Sequence, residues 1–560
     1  MTKRIISLLL CLVMVLSLCA CGGKTDISTP AEPAPGAEST GDETKAPEIS
    51  GNEVAYGNTN SAKVKHDKVV IALNADPKDL MPVNVNVGGK EVIDNIFERL
   101  YNIDGFGGGL YGVLAKALPV EVEPQVYEFE IYDNIYDSEG NHITASDVVF
   151  STDYFVESGY AQNFDKFGSI EATGDYTLRL TTSEPLNELG DMANVFGVIY
   201  VWSEKAMSEH NFATEPVGTG PYVCTYFRSG DKLTLEARPD YWAEGSDHQN
   251  SRSCANVQTI EYQIIAEQSQ NTVALRTETI DYSNNLSDTD KAKFMEGGEY
   301  SEGWETFSWP SNLTYYLMPN CSEESVCSDE NLRKAIMYAI DPAMILAVAD
   351  NASAQIVYDM ANPKFAGYNP DWLTQDNFYV NNSLETAKEY LDQSNYQGET
   401  LTLLYTSGTL LQNVCEAIQI LLGQVGINVE LKPESFSVTS ADVVVPGAWD
   451  LYVDMMASDD YLVIVYSRLF NETNFEEGQG TKNFINDPTF QELLSTCMAE
   501  ATNTQENLDA LHNYVIEHAY SRGLFASYES SIYSSDILQI CNSYKYAIIP
   551  GGCIYADNEW

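Results

Sequence analysis

The chain is short of positive charge. Its 560 residues carry 30 Lys and Arg against 82 Asp and Glu, a formal net charge of −52 at pH 7. A field of that sign repels phosphates, which excludes a nucleic-acid-binding role. Histidine is scarce too: the six are His66, His142, His210, His248, His512 and His518. His512 and His518 do not share a helix face, so no histidine-built metal site is expected. The sequence has no CxxC, no HExxH and no GxSxG. A zinc cluster, a zinc protease and a serine hydrolase are therefore not indicated, and neither a catalytic residue nor a cofactor is expected. Long apolar runs are missing beyond the N-terminus, so no later segment is expected to cross a membrane.

What is present begins with that one apolar run. Lys3 and Arg4 precede Ile5 to Leu18, about 14 residues where a span needs roughly 20. This is the pattern of an export signal. Leu18-Cys19-Ala20-Cys21 resembles a bacterial lipobox, which implies a signal over residues 1–20 and a lipid on Cys21. Residues 21–66 are rich in Gly, Pro, Ser, Thr and Glu and poor in large apolar side chains. Such a segment cannot bury enough surface to offset its chain entropy and reads as a disordered tether.

The remainder is globular: 44% of residues are hydrophobic and 35 are tyrosines. Apart from Cys21 the exported chain keeps eight cysteines, of which Cys321 with Cys327 and Cys541 with Cys553 are candidate pairs; Cys415, in an apolar helical pattern, reads as core. In "EVIDNIFERLY" the apolar Val92, Ile93, Ile96, Phe97 and Leu100 recur at helical spacing. Gly105 to Gly112 lack the strand–loop–helix setting of a nucleotide cradle and read as a loop. Tyr127, Phe129 and Ile131 alternate with polar partners as in a half-buried strand. Thr144 with Asp147 then forms a helix-start capping pattern. Leu332, Ala335, Ile336, Ala339 and Ile340 line one helix face, and Asp341-Pro342 starts the next helix. Residues 401–432 read as strand, helix, strand, a βαβ unit of a parallel sheet. Thr406 and Ser407 lie at the carboxyl end of its first strand, where such sheets bind ligands.

Several of these blocks together resemble the family 5 extracellular solute-binding proteins of ABC transporters. The string "VYEFEIYDNIYDSEGNHITASDVVFS" is similar to that family's strand, turn and helix signature. "VGTGPYVCTYFRSGDKLTLEARPDYW", "VALRTETIDY" and "NLRKAIMYAIDPAMIL" follow in the family's order. The resemblance implies an α/β, two-lobed fold of the periplasmic-binding-protein type II kind, with an extra subdomain in lobe one. It implies lobe one from 67–103, 213–310 and 528–560, the extra subdomain from 104–212, and lobe two from 311–527. The chain would cross between lobes near Thr306–Tyr315 and Leu524–Ser531.

By the same resemblance, the function would be capture of short peptides for an ABC permease and its ATPase, by a monomer anchored on the outer face of the cytoplasmic membrane. The same fold holding an oligosaccharide, a nickel complex or a signalling peptide is the alternative, as is a surface receptor or adhesion lipoprotein without transport. Peptide-binding members carry an acidic residue after a strand where this chain has Asp459, Asp460 and Tyr461, and Asp460 is the expected partner of a peptide amine. Tyr528 and Trp309 are the aromatic residues expected at the two crossings.

Overall fold

The structure is a computed structural model that describes residues 60–84, 87–103, 109–158, 166–349, 354–357, 360, 365–377, 381–457, 461–472, 483–542 and 548–560. The export signal, Cys21 and residues 21–59 of the tether lie outside the described residues, as do Asp459 and Asp460. The last tether residues are held by the body. The Ser61 hydroxyl donates to Glu244 at 2.7 Å, the Ala62 amide to Asn256 at 2.8 Å, and the Lys63 amide to the Glu559 carbonyl at 2.7 Å.

One large sheet runs through the protein. In spatial order its strands are Tyr222–Arg228, Lys232–Ala237, Val257–Ile264, His66–Leu73, Tyr282–Ser283, Arg522–Ser534, Trp304–Pro319, Leu451–Ala457, Thr400–Thr406 and Asn428–Glu434. Two are far longer than a typical strand: Trp304–Pro319 has 16 residues and Arg522–Ser534 has 13. They pair antiparallel at the centre of the sheet. Their apolar side chains belong to different cores at their two ends. Phe307, Trp309 and Tyr533 join a core with Val69, Ile71, Tyr262 and Tyr282. Tyr315, Leu317, Leu524 and Phe525 join a second with Leu403, Ile418 and Val453. Tyr316 and Met318 join a third, on the opposite sheet face, with Leu462, Tyr466 and Leu511. Between the anchored ends the strand 522–534 reads Ser527, Tyr528, Glu529, Ser530 and Ser531. At that point the ladder register slips between Pro310 and Thr314. Two packed bodies thus share a waist of polar residues and irregular pairing, the mixed α/β, two-lobed architecture that the family resemblance implied.

Local rules produced most helices. The Thr144 amide bonds the Asp147 carboxylate at 2.9 Å and closes the capping box of helix Ala145–Glu157. Asp329 caps helix Glu330–Ala339, and Asp341 caps helix Pro342–Val348. Strands Thr400–Thr406 and Asn428–Glu434 are parallel and flank helix Thr409–Val425, completing the βαβ unit. A separate four-stranded sheet, ordered Val120–Glu123, Val126–Glu130, Thr177–Thr182, Phe167–Ala172, packs Tyr127, Phe129, Leu178 and Leu180 into the first core.

Two expectations are corrected. The helical spacing through Leu100 does not give one helix: the helix is Val87–Ile93, and Glu98–Arg99 instead pair with Tyr200–Val201. Asn95 ends the helix by turning its amide onto the Glu91 carbonyl at 2.7 Å, and Glu98 is drawn to Tyr241 and Trp242. None of the eight described cysteines is in a disulfide among the described residues. Cys321 packs at the third core whereas Cys327 is buried in the second, so that pair faces apart. Cys541 and Cys553 are neighbours, but the contact is a Cys541 amide donating to the Cys553 sulfur at 3.3 Å. Cys415 is buried, as its pattern implied.

Candidate ligand-binding cleft

The sheet register sets the residues of the waist side by side. Trp309 stands opposite Glu529, and Pro310 opposite Tyr528. On the other side of strand 304–319, Leu313 stands opposite Ala457, the last residue before the segment containing Asp459 and Asp460. Strand 451–457 runs parallel to strand 400–406, with Tyr405 beside Val453. The carboxyl ends of both strands therefore reach the same edge of the sheet, at the waist.

The sequence-predicted residues take up separate positions around this waist. Trp309 is buried and stacked on Phe307, with ring centroids 5.7 Å apart. Tyr528 is half-buried, and its hydroxyl donates to the Gln355 side chain at 2.6 Å. Thr406 is half-buried and Ser407 exposed, with the Ser407 amide donating to the Glu434 carbonyl at 2.7 Å. Tyr461 packs at the edge of the third core and precedes helix Leu462–Phe470.

Sequence reading passed over a cavity lined by both acids and arginines. A cavity of about 90 Å³ is lined by Glu91, Asp94, Asn95, Glu98, Arg99 and Arg252 among others. Asp94 is paired with Arg99 at 3.0 Å. Glu98 is buried and accepts from the Tyr241 hydroxyl at 2.6 Å and the Trp242 indole at 2.7 Å. Burial raises the Glu98 pKa, and those donors oppose the rise. Glu91 is half-buried, and burial together with the nearby Glu529 and Asp94 pushes its pKa up to about 7. Glu529 is exposed at its surface, though desolvation by its surroundings raises its pKa and Lys291 opposes that rise. The signal for these acids was in "EVIDNIFER": Glu91, Asp94 and Glu98 are spaced by three and four, between the apolar positions.

The raised Glu91 pKa has a consequence for stability. A carboxyl shifted upward by folding stabilises fully below its unfolded value of about 4.5 and loses that contribution as pH rises through about 7. The shift corresponds to at most about 3 kcal/mol, which partial solvation reduces to about 1–2 kcal/mol. Glu91→Gln is therefore expected to raise the thermal midpoint at pH 8 and to leave it nearly unchanged at pH 4. A difference of equal size at both pH values would remove this origin.

Residues 109–474 match the family model for bacterial extracellular solute-binding proteins, family 5 Middle, which is more than half of the 560 residues. The chain belongs to that family. This family 5 solute-binding protein of ABC transporters is 23% identical to the Probable D,D-dipeptide-binding periplasmic protein DdpA of Escherichia coli K12, over 80% of this chain and 86% of that one. It is 21% identical to the Oligopeptide-binding protein OppA of Bacillus subtilis 168, over 78% and 82%. The solved structure of HbpA2 from Haemophilus parasuis matches its fold with a TM-score of 0.74 at 16% identity, over 87% of this chain and 100% of that one. The family consists of solute carriers for transport and not of enzymes. Among the described residues no helix is long and apolar enough to cross a membrane.

Proposed function

We propose that this family 5 protein is the lipid-anchored substrate-binding component of an ABC importer and that its cargo is short peptides. The observation that carries the reading is the waist: separate cores lie at the two ends of a pair of long strands whose middle is polar and irregular, and Leu313 of one strand pairs with Ala457, two residues before Asp459. Such a ribbon lets two lobes close over a guest, and a peptide held there in extended form bonds through its main chain. The relatives named for dipeptides and oligopeptides support the same cargo. Lobe one comprises 67–103, 213–310 and 528–560 with a subdomain from 104–212, and lobe two 311–527. Asp460, assisted by Asp459, takes the peptide amine. Tyr461, Thr406 and Ser407 line the lobe-two side, and Trp309 and Tyr528 the crossings. The monomer hands its guest unchanged to a permease driven by an ATPase.

The test is titration of defined di- to pentapeptides by calorimetry, paired with small-angle scattering. Binding should be accompanied by a smaller radius of gyration, because ligand contacts favour the closed state. Calorimetric binding of an oligosaccharide or a nickel chelate, with no peptide response, would replace the cargo. The anchor has its own test. Cys21→Ser should leave the protein in the soluble fraction of its native host, since the single sulfur bears the acyl chains; unchanged membrane retention would exclude lipidation there.

A further inference from the structure

The cavity beside the Glu91 helix is not part of the waist. Glu91 comes to it from the helix Val87–Ile93, Arg99 and Ile103 from the short strands that follow, Arg252 from the turn Ser251–Ser253, and Ile548 and Ile549 from the C-terminal segment. Among the described residues no part of the lining falls between Ser253 and Ile548, so neither long strand contributes. One water needs about 10–15 Å³, so about 90 Å³ has room for roughly six to nine non-hydrogen atoms. Five charged side chains are in the lining: three carboxylates and two guanidiniums, one negative charge in excess. Four of them are bonded within the protein. Asp94 holds Arg99 at 3.0 Å, and each Glu98 oxygen accepts one bond, from Tyr241 or Trp242. Arg252 donates to the Ile103 carbonyl at 3.3 Å and to the Tyr111 hydroxyl at 3.2 Å. The fifth is Glu91, whose carboxylate makes no hydrogen bond or ion pair among the described residues. The rest of the lining includes apolar surface from Phe97, Ile103, Val113, Ile548 and Ile549.

We infer that this cavity is a second binding site, separate from the peptide cleft, for a small organic amine: the ammonium meets Glu91, and an apolar body of roughly five to eight carbons lies against Ile103, Val113, Ile548 and Ile549. A carboxylate drawn away from water without a partner is costly in its charged form, and an ammonium beside it removes that cost. The raised Glu91 pKa is the mark of the same cost. A monocation also cancels the one excess charge of the lining, whereas an anion would add to it. Arg99 does not stand against the guest as a bare charge, because Asp94 lies 3.0 Å from it. A neutral molecule of the same shape would cover the apolar wall and leave Glu91 as it was. The site goes beyond the peptide reading and does not depend on it. Trp309, Tyr528, Thr406, Ser407 and Tyr461 take no part in the lining, so amine and peptide can be held together.

The experiment titrates the protein by calorimetry with 3-methylbutylamine, cyclohexylamine and 2-phenylethylamine, each beside the alcohol of the same skeleton. At least one amine should bind one-to-one and about tenfold or more tighter than its alcohol, the ratio expected of a charge-assisted contact. Glu91→Gln is near-isosteric and should bring that ratio below about threefold. Val113→Phe fills the cavity from another wall and should abolish amine binding with Glu91 intact. Thermal melts establish that each variant is folded, and the Glu91→Gln comparison decides alone if Val113→Phe does not fold. With the amine saturating, the affinity of a di- to pentapeptide should change less than about twofold, since the two sites share no lining residue. Binding of none of the three amines, equal affinity for amine and alcohol, or a ratio that Glu91→Gln leaves unaltered overturns the site. Competition between amine and peptide places the amine in the peptide cleft and overturns it as well. Amine binding that depends on Glu91, with no response to any peptide, supports the site and removes the peptide reading.

Discussion

An Asp460→Asn chain is expected to bind a short peptide with a free amino terminus about 100-fold more weakly than wild type, and its N-acetylated counterpart nearly as well as before. The substitution keeps side-chain size and removes one charge. An ammonium enclosed by closing lobes has lost its water, and without a counter-charge its desolvation is uncompensated. Truncating one member of a buried charge pair costs about 2–5 kcal/mol, which spans 30-fold to several thousandfold in affinity. The acetylated peptide has no such charge, so it isolates electrostatics from structural damage by the substitution. Equal losses for both peptides would mean that Asp460 shapes the segment after Ala457 without meeting the amine. An unchanged affinity for both would shift the amine partner to Asp459, and Asp459→Asn is the direct comparison.

Gly218→Ala is expected to be the most destabilising single-methyl change near the site. A Cβ at Gly218 would lie 2.1 Å from the Ile96 carbonyl oxygen and 2.8 Å from its carbon. Both atoms are backbone, so no side chain can swing aside. The same Ile96 carbonyl accepts from the Gly220 amide at 2.8 Å, and the neighbouring Asn95 carbonyl from Tyr222 at 3.1 Å. Relief therefore requires separating the loop "VGTGPY" from the segment that follows the Glu91 helix. A forced backbone shift of this kind costs on the order of 3 kcal/mol. Gly408→Ala is the control, because nothing lies within 4 Å of its Cβ position. Equal thermal midpoints for the two variants would show that the close approach is absent in solution.

Short-range chemistry made much of this fold legible. Thr144 and Asp147 are three residues apart and find each other without help. Asp341 and Pro342 start a helix by rules confined to its first turn. Alternation in 126–131 and the βαβ pattern of 401–432 name the buried faces before any partner is known. The same reasoning failed at 94–100. There the apolar spacing was correct, but the polar residues between had tertiary partners: Glu98 reaches Tyr241 and Trp242, 143 and 144 positions later. Those bonds outweigh one more helical turn, since a buried carboxylate without donors costs more than the turn contributes.

The candidate site divides along the same line. Thr406 and Ser407 could be proposed from the chain alone, because a strand end before a helix shows in the local pattern. Glu91 and Glu529 could not, because neither is unusual in its own segment. Sequence alone determined the family blocks, the acidic balance, the export pattern and the alternation that assigns side chains to cores. Tertiary structure alone decided which of many carboxylates lack a partner. That depends on the register of two long strands, where Trp309 meets Glu529, and on the core in which Val92 and Ile93 of the Glu91 helix join Phe307 and Trp309. Electrostatic energy falls with separation in space, whatever the distance along the chain.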